Sequence, residues 1–302
     1  MTTVITGGTG LIGRGLLAKL PNATVLTRDP ARAVARLGAV DARLWRPEEG
    51  PAPVEALAGA DVIFNLAGEP VASGRWSAER KRRIRDSRVL GTRNLVAGLA
   101  AHEHRPRVLV SASAVGVYGD RADEVLDEDS APGEGFLADV CAEWEAEAMA
   151  ATRLGIRVVC VRIGVVLAPD GGALTRMMTP FRMGVGGRLA SGKQWMPWVH
   201  VDDVVGLLLL AAQTPEIRGP INAVAPEPAQ NAEFVRAFGQ AIGRPAFIPV
   251  PKTALRLALG EMSQILTASQ RVVPRSALSL GYDFEYPELG SALRSASRRE
   301  AT

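Results

Sequence analysis

The residues Val4-Ile5-Thr6-Gly7-Gly8-Thr9-Gly10-Leu11-Ile12-Gly13 join a short β-rich run to a glycine turn and the start of a helix. The chemistry open to such a turn is the cradling of phosphates by backbone. A side chain at Gly7 or Gly8 would obstruct the turn, one at Gly10 would hold backbone away from a pyrophosphate, and one at Gly13 would push helix from strand. The helix entered at Leu11 and Ile12 would then turn its free N–H groups and positive dipole end toward the phosphates. The glycines satisfy both GxxGxxG (7, 10, 13) and GxGxxG (8, 10, 13), so spacing alone does not choose a subclass. What carries the dinucleotide reading is order: strand, turn, then an amphipathic segment with Leu16, Leu17 and Leu20.

The residues after the second β-rich run bear on which dinucleotide. An acidic side chain that would bind a ribose 2′-hydroxyl is expected about twenty residues past the glycines; Thr27 and Arg28 stand there instead. Asp29 fits an N-cap and Pro30 the first helical position, which puts Arg32 in the opening turn near Arg28. Two guanidiniums suit the forked hydrogen bonds of a 2′-phosphate, so the expected cofactor is NADP(H) rather than NAD. The competing reading is an arginine pair solvated at a helix end. Farther on, a run ending in Asn65-Leu66-Ala67-Gly68 reads as a strand exit. The small residues there would let Leu66, Ala67 and Gly68 lie against the cofactor ribose, unless this is an ordinary strand-loop exit.

The elements that must position these groups follow from pattern. Nearly all-apolar runs at 3–5, 23–26, 62–65, 108–111 and 158–163 alternate with helical stretches. That is the texture of strands buried on both faces of a doubly wound parallel sheet, an α/β fold. From about Ala168 the texture changes, with Gly171, Gly172, Gly184, Gly186, Gly187 and Gly192 punctuating a loop-rich region before helix-like runs at 203–213 and 231–242. The expected organisation is a dinucleotide-binding domain over 1–167, with 199–224 returning to it, and a smaller, partly interleaved substrate-binding region over 168–302. The polar tail from Arg294 to Thr302 is expected to fray.

Composition narrows the function classes. The 302 residues, 47% hydrophobic and 22% charged, can bury a globular core. No run approaches the roughly 18 apolar residues of a membrane span and no signal segment precedes the first strand, so a cytoplasmic protein without membrane contact is expected. Cys141 and Cys160 have no CxxC spacing, and His102 and His104 flank Glu103 in a polar connection, so no metal site is expected. The formal net charge is only +3. Arg75, Arg80, Lys81, Arg82, Arg83, Arg85 and Arg88 crowd one segment, but Glu79 and Asp86 interrupt it and Trp76 is its only aromatic residue. The expectation is a solvated helix face rather than a nucleic-acid patch, with an anionic small-molecule substrate as the alternative.

The glycine turn, Asn65-Leu66-Ala67-Gly68, Gly91-Thr92-Arg93-Asn94-Leu95, Val117-Tyr118-Gly119 and Val199-His200-Val201-Asp202-Asp203-Val204 resemble an extended short-chain dehydrogenase/reductase. More narrowly, Gly68-Glu69-Pro70, Arg75-Trp76, Arg85-Asp86-Ser87-Arg88, Ser111-Ala112-Ser113-Ala114-Val115-Gly116 and Gln194-Trp195-Met196-Pro197-Trp198 resemble the atypical epimerase-family branch that includes the YfcH-like proteins. Asn222-Ala223-Val224-Ala225-Pro226, Gly260-Glu261-Met262 and Gly281-Tyr282-Asp283-Phe284 extend the match through the C-terminal part. The resemblance implies a Rossmann-like domain holding NADP(H), with a small C-terminal part covering the substrate. It also implies a Tyr-x-x-x-Lys pair, in which tyrosine moves a proton while lysine lowers its pKa and holds the ribose. Here those positions fall on Leu137 and Cys141, if Glu145 matches the glutamate four residues beyond the usual lysine.

Another group must then handle the substrate oxygen. Ser113, just past the fifth strand, stands where such enzymes carry a carbonyl-binding serine or threonine, although counting back from Tyr118 gives Ala114. Tyr118 is the best-placed phenol for a proton donor, with a pocket wall as its other reading. Trp195 and Trp198, with Lys193 and Gln194, would line a pocket or hold down a lid. Asp202 is expected to cap the helix starting near Asp203, leaving His200 structural or at the pocket edge. The function expected is an NADP(H)-dependent oxidoreductase or epimerase acting on a small polar substrate. Its rivals are an NADPH-binding sensor and an isomerase or lyase that recycles the cofactor internally. A homodimer is plausible by analogy with extended reductases.

Overall fold

In a computed structural model, residues 2–298 are described. The first half runs β1 (Thr3–Thr6), α1 (Leu11–Lys19), β2 (Thr24–Thr27), α2 (Pro30–Leu37), β3 (Asp41–Leu44), β4 (Val62–Asn65), α3 (Ala78–Ala100), β5 (Val108–Ala114), α4 (Phe136–Met149) and β6 (Arg157–Ile163). It continues through α5 (Gly172–Arg182), α6 (Val201–Gln213), β7 (Gly219–Ala223), α7 (Asn231–Ala241), α8 (Lys252–Leu259) and α9 (Leu289–Ser297), with shorter turns and bridges between. The seven strands form one parallel sheet in the order β7-β6-β5-β4-β1-β2-β3.

Period-two alternation decides which layer each strand residue serves. Ile5, Phe64, Val110 and Val159 join one core with Leu16 of α1 and Val204, Leu207 and Leu208 of α6. Their chain neighbours Val4, Ile63, Leu109 and Val158 join the opposite core with Leu95 and Leu99 of α3 and Ala148 of α4. Both faces are therefore covered, which is why these runs read as continuously apolar. The fold class is the expected Rossmann-like doubly wound α/β sheet.

Two of its strands did not announce themselves. β3 lies at the sheet edge with Asp41, Arg43 and Leu44 exposed, so burial imposed no apolar pattern on it. β7 pairs with β6 from Gly219↔Val159 to Ala223↔Ile163, and α6 just before it packs on the α1 side of the sheet. A separate core gathers Leu174 and Phe181 of α5, Trp198, Phe234 and Phe238 of α7 and Leu293 of α9. Within the tail expected to fray, residues 294–297 complete α9, whose Ala296 is buried; residues 299–302 lie outside the described residues. Asp202 does not cap α6: His200 does, its Nδ1 accepting the Asp202 N–H at 3.3 Å.

Candidate functional site

Sheet order reverses about β1: β4 lies on one side and β2 on the other, which opens a crevice at the strands' C-terminal ends. The glycine turn occupies that crevice. Gly7 has φ +71°, and a Cβ there would sit 2.8 Å from the Leu66 carbonyl and the Ala67 nitrogen. A Cβ on Gly13 would sit 2.4 Å from the Gly7 carbonyl oxygen, so the first turn of α1 can rest on the glycine loop only while position 13 has no side chain. α1 starts after Gly10 with no side-chain cap, leaving its first N–H groups, around Leu11 and Ile12, without a side-chain partner.

One hydroxyl sets the opposing loop. Thr6 Oγ1 accepts the N–H groups of Leu66 and Ala67, both at 3.1 Å, and donates to Asn65 Oδ1 at 2.9 Å. Asn65 Nδ2 in turn donates to Thr92 Oγ1 (2.8 Å) and Ser111 Oγ (3.2 Å), and Trp144 Nε1 donates to the same Thr92 oxygen at 2.9 Å. This buried chain pins Leu66, Ala67 and Gly68 beside the glycine turn. Sequence reasoning gave Thr6, Asn65 and Thr92 no role, because the bonds that join them run between β1, β4 and α3; all three did stand inside the quoted motifs.

At the end of β2, Asp29 caps α2 by accepting the Arg32 N–H at 2.9 Å, with Pro30 in the first turn. Arg28 and Arg32 are exposed, and neither has an ion-pair partner among the described residues. Uncapped N–H groups, a glycine floor and two unpaired guanidiniums beyond it form a backbone cradle that fits a phosphorylated dinucleotide.

The other side of the crevice is built from charged side chains. Ser113 lies within β5, not past it, and its hydroxyl donates to Glu145 Oε1 at 2.6 Å. Arg162 on β6 grips the same carboxylate at 2.9 Å through both Nε and Nη2. Its Nη1 donates to the Tyr118 hydroxyl at 3.0 Å. Burial pulls the Arg162 pKa down, but the hydrogen bonds and charge of Glu145 outweigh it, and the guanidinium is held more firmly protonated than usual. Tyr118 is fully buried, its hydroxyl 2.7 Å from Asn222 Oδ1 and 2.9 Å from the Asp127 carbonyl. Burial pushes the phenol's pKa up. Through these bonds Tyr118 braces Arg162 and Asn222.

Leu137 and Cys141 face Gly116, at 3.4 Å and 3.7 Å from the position its Cβ would take. Burial pushes the Cys141 thiol up to about 12, against the opposing pull of the nearby Arg88 charge, so it stays an apolar filler. The arginine-rich segment is only partly a solvated face. Arg80 is buried and donates to the Glu69 carboxylate and the Pro70 carbonyl, while Arg88 lies over the Trp144 ring at 5.3 Å. Trp76 and Ile84 are covered by Met262 from the C-terminal region.

The two tryptophans separate. Trp198 is buried in the C-terminal core, its Nε1 donating to the Glu227 carbonyl at 3.0 Å. Trp195 donates to Asp123 at 2.8 Å and carries Arg271 over its ring at 4.7 Å. Lys193 donates its backbone N–H to Ser191 Oγ at 3.2 Å, and Gln194 Nε2 donates to the Leu189 and Leu266 carbonyls at 3.0 and 3.2 Å. His200 is buried against Tyr286, ring centroids 3.8 Å apart, and burial lowers its pKa. Among the described residues no cluster of metal-ligating side chains occurs, and no helix is long and apolar enough to cross a membrane.

The model of the NAD dependent epimerase/dehydratase family matches residues 3–223, from β1 to the end of β7. The chain belongs to this family. A second model, described as a domain of unknown function (DUF1731), matches residues 250–296. An epimerase family protein of Mycobacterium tuberculosis is 42% identical over 98% of this chain and 97% of its own length. The crystal structure of human epimerase family protein SDR39U1 with NADPH superposes with a TM-score of 0.87 at 34% identity, covering 98% of this chain and 99% of that one. A UDP-glucuronic acid 4-epimerase from Bacillus cereus, solved with UDP-glucuronic acid and NAD, shares the fold at TM-score 0.79 and 15% identity, over 98% of each chain.

Proposed function

We propose that this family member is an NADP(H)-dependent oxidoreductase or epimerase of the atypical extended short-chain type, acting on a small polar substrate. The observation that carries the cofactor assignment is the uncapped, glycine-floored start of α1 together with the unpaired Arg28 and Arg32 at the end of β2. The human relative solved with NADPH supports the same reading. When bound, the nicotinamide exchanges a hydride with a substrate carbon that bears oxygen.

The chain's own part is to hold that oxygen and move its proton. Ser113 commits its proton to Glu145, which leaves the serine lone pairs to accept a hydrogen bond from a substrate hydroxyl. As that carbon loses hydride, the hydroxyl proton passes to Ser113 and the serine proton to Glu145; reduction runs the same path backwards. Arg162 holds Glu145 in place with two bonds. Leu137 and Cys141 have no part in proton transfer. Residues 168–302 supply the substrate-covering region, apart from α6 and β7, which belong with the dinucleotide domain.

The decisive experiment is a fluorescence titration with NADPH and NADH, followed by a screen of small carbonyl and hydroxy compounds. NADPH should bind at least about tenfold more tightly, and replacing Arg28 and Arg32 by serine should erase the difference. Equal binding of the two cofactors by the wild-type chain overturns the assignment. With a substrate in hand, Ser113→Ala should lower kcat by about 10²-fold or more. The inert, buried Cys141 where a lysine is usual also favours a second reading, an NADPH sensor that catalyses nothing. That reading requires NADPH-dependent partner binding with no cofactor oxidation across the screen. An isomerase or lyase with internally recycled cofactor would form product without net change in nicotinamide absorbance.

A further inference from the structure

Arg88 projects from α3 toward the loop that leaves β4. Its guanidinium carbon would lie 3.1 Å from a Cβ on Gly68, and its Nη2 3.2 Å. Nη1 donates to the carbonyls of Glu69 (3.0 Å) and Ile84 (3.1 Å), and the group lies over Trp144. No carboxylate forms an ion pair with it among the described residues; the nearby Glu69 is taken by Arg80. No hydrogen-bond partner is provided for Nε or Nη2 by the described residues. Burial lowers the Arg88 pKa, and the nearby Glu69 charge opposes that fall. Arg88 is half-buried, and its Nε and Nη2 are not among the buried atoms left without a partner, so both donors keep access to solvent. Lys81 and Arg80 on the same helix both spend their charge on carboxylates, whereas Arg88 keeps these two donors free for a ligand.

We propose that Arg88 supplies, from α3, the cation and hydrogen-bond donors that the missing lysine at Cys141 would have supplied from α4, and holds the nicotinamide ribose through Nε and Nη2. The inference rests on the NADP(H) reading above. Gly68 is what admits the guanidinium, because a larger residue would take the 3.1 Å space it occupies. With Leu137 in place of tyrosine there is no phenolate for the cation to stabilise. What remains to it is the ribose, and the electrostatics of the ring attached to that ribose. A fixed positive charge there repels the cationic ring of NADP+ and not the neutral ring of NADPH, so the site favours the reduced cofactor.

The test compares wild type, Arg88→Met and Arg88→Lys, with the exposed Arg82→Met on the same helix as control. Each is titrated with NADPH, NADP+ and adenosine 2′,5′-bisphosphate, which lacks the nicotinamide ribose, and its thermal midpoint is recorded. Arg88→Met should weaken NADPH binding about tenfold or more while leaving the bisphosphate within about twofold, and Arg88→Lys should recover part of the loss. The wild-type preference for NADPH over NADP+ should shrink in Arg88→Met. Equal losses for NADPH and the bisphosphate, or no loss for either, overturn the proposal and make Arg88 a structural staple. Should the wild-type chain bind neither NADPH nor the bisphosphate, the cofactor reading itself falls, an outcome distinct from both.

Discussion

The two sides of the crevice are made of different materials. On the β1–β4 side the working surface is backbone: uncapped N–H groups, glycines at 7, 10 and 13, and a loop hung from one threonine hydroxyl. On the β5–β6 side it is side chains: Ser113, Glu145, Arg162, Tyr118 and Asn222 in one hydrogen-bonded network. Backbone geometry is shared by every residue type except where a Cβ collides, so the first side fails at its glycines and at the single Thr6 hydroxyl that hangs the loop. The second fails wherever a partner is removed, because each group left behind is a buried, unsatisfied one.

Four substitutions or conditions press on that contrast. The largest effect is expected on the side-chain half: Arg162→Met strands the Glu145 carboxylate, both side chains being mostly buried, and should cost about 3–5 kcal/mol in urea unfolding. Pairing it with Glu145→Leu should restore part of that loss; a double variant no better than the single one would show that the network is not held together by this pair. On the backbone half, Gly13→Val forces a side chain into the Gly7 carbonyl and should cost about 1–3 kcal/mol by overpacking and abolish NADPH binding. Unchanged binding would remove the close approach of turn and helix from the argument.

Tyr118→Phe separates brace from proton donor. It should lower stability by about 1–2 kcal/mol through the stranded Arg162 and Asn222 groups while changing kcat by less than about threefold. A hundredfold fall in kcat at full stability would restore the phenol to the chemistry. The smallest effect belongs to His200, whose pKa burial lowers. The unfolded imidazole titrates near ~6.5 and the folded one below that, so acid protonates the unfolded chain first, and stability drops as pH falls through and below that value. The slope should stay under about 1.4 kcal/mol per pH unit and should flatten in His200→Asn.

Legibility divided along the same line. Strands buried on both faces and a turn that needs glycine write themselves into residue types, so β1, β2, β4, β5 and β6 and the dinucleotide crevice could be read directly. β3 could not, because an edge strand exposing Asp41 and Arg43 carries no apolar signature. The side-chain half was legible only as a list of polar residues. Ser113 and Glu145 are separated by |i−j| = 32 and Tyr118 and Asn222 by |i−j| = 104, and nothing local announces that strand register brings them together. Arg88 was hidden by its company: amid a run of cations, the half-buried one turned toward the β4 loop has the same letter as the rest. His200 displaced Asp202 as the α6 cap because Asp203 is drawn inward, accepting the N–H groups of Glu285 and Tyr286 at 2.8 and 3.0 Å, and the whole helix start shifts with it.

Thr6 sets a limit on how this chain can drift over evolutionary time. Its oxygen takes two amide protons and gives one to Asn65, so the position needs a hydroxyl. Valine, the same shape, would leave the Ala67 amide and the asparagine oxygen unanswered, and the Leu66 N–H with only the Thr6 carbonyl at 3.3 Å. Serine would keep the bonds but remove a methyl from a strand residue that is entirely buried. Neither loss alters a glycine, so a search that scores only the glycine spacing would pass a descendant whose loop no longer holds its place.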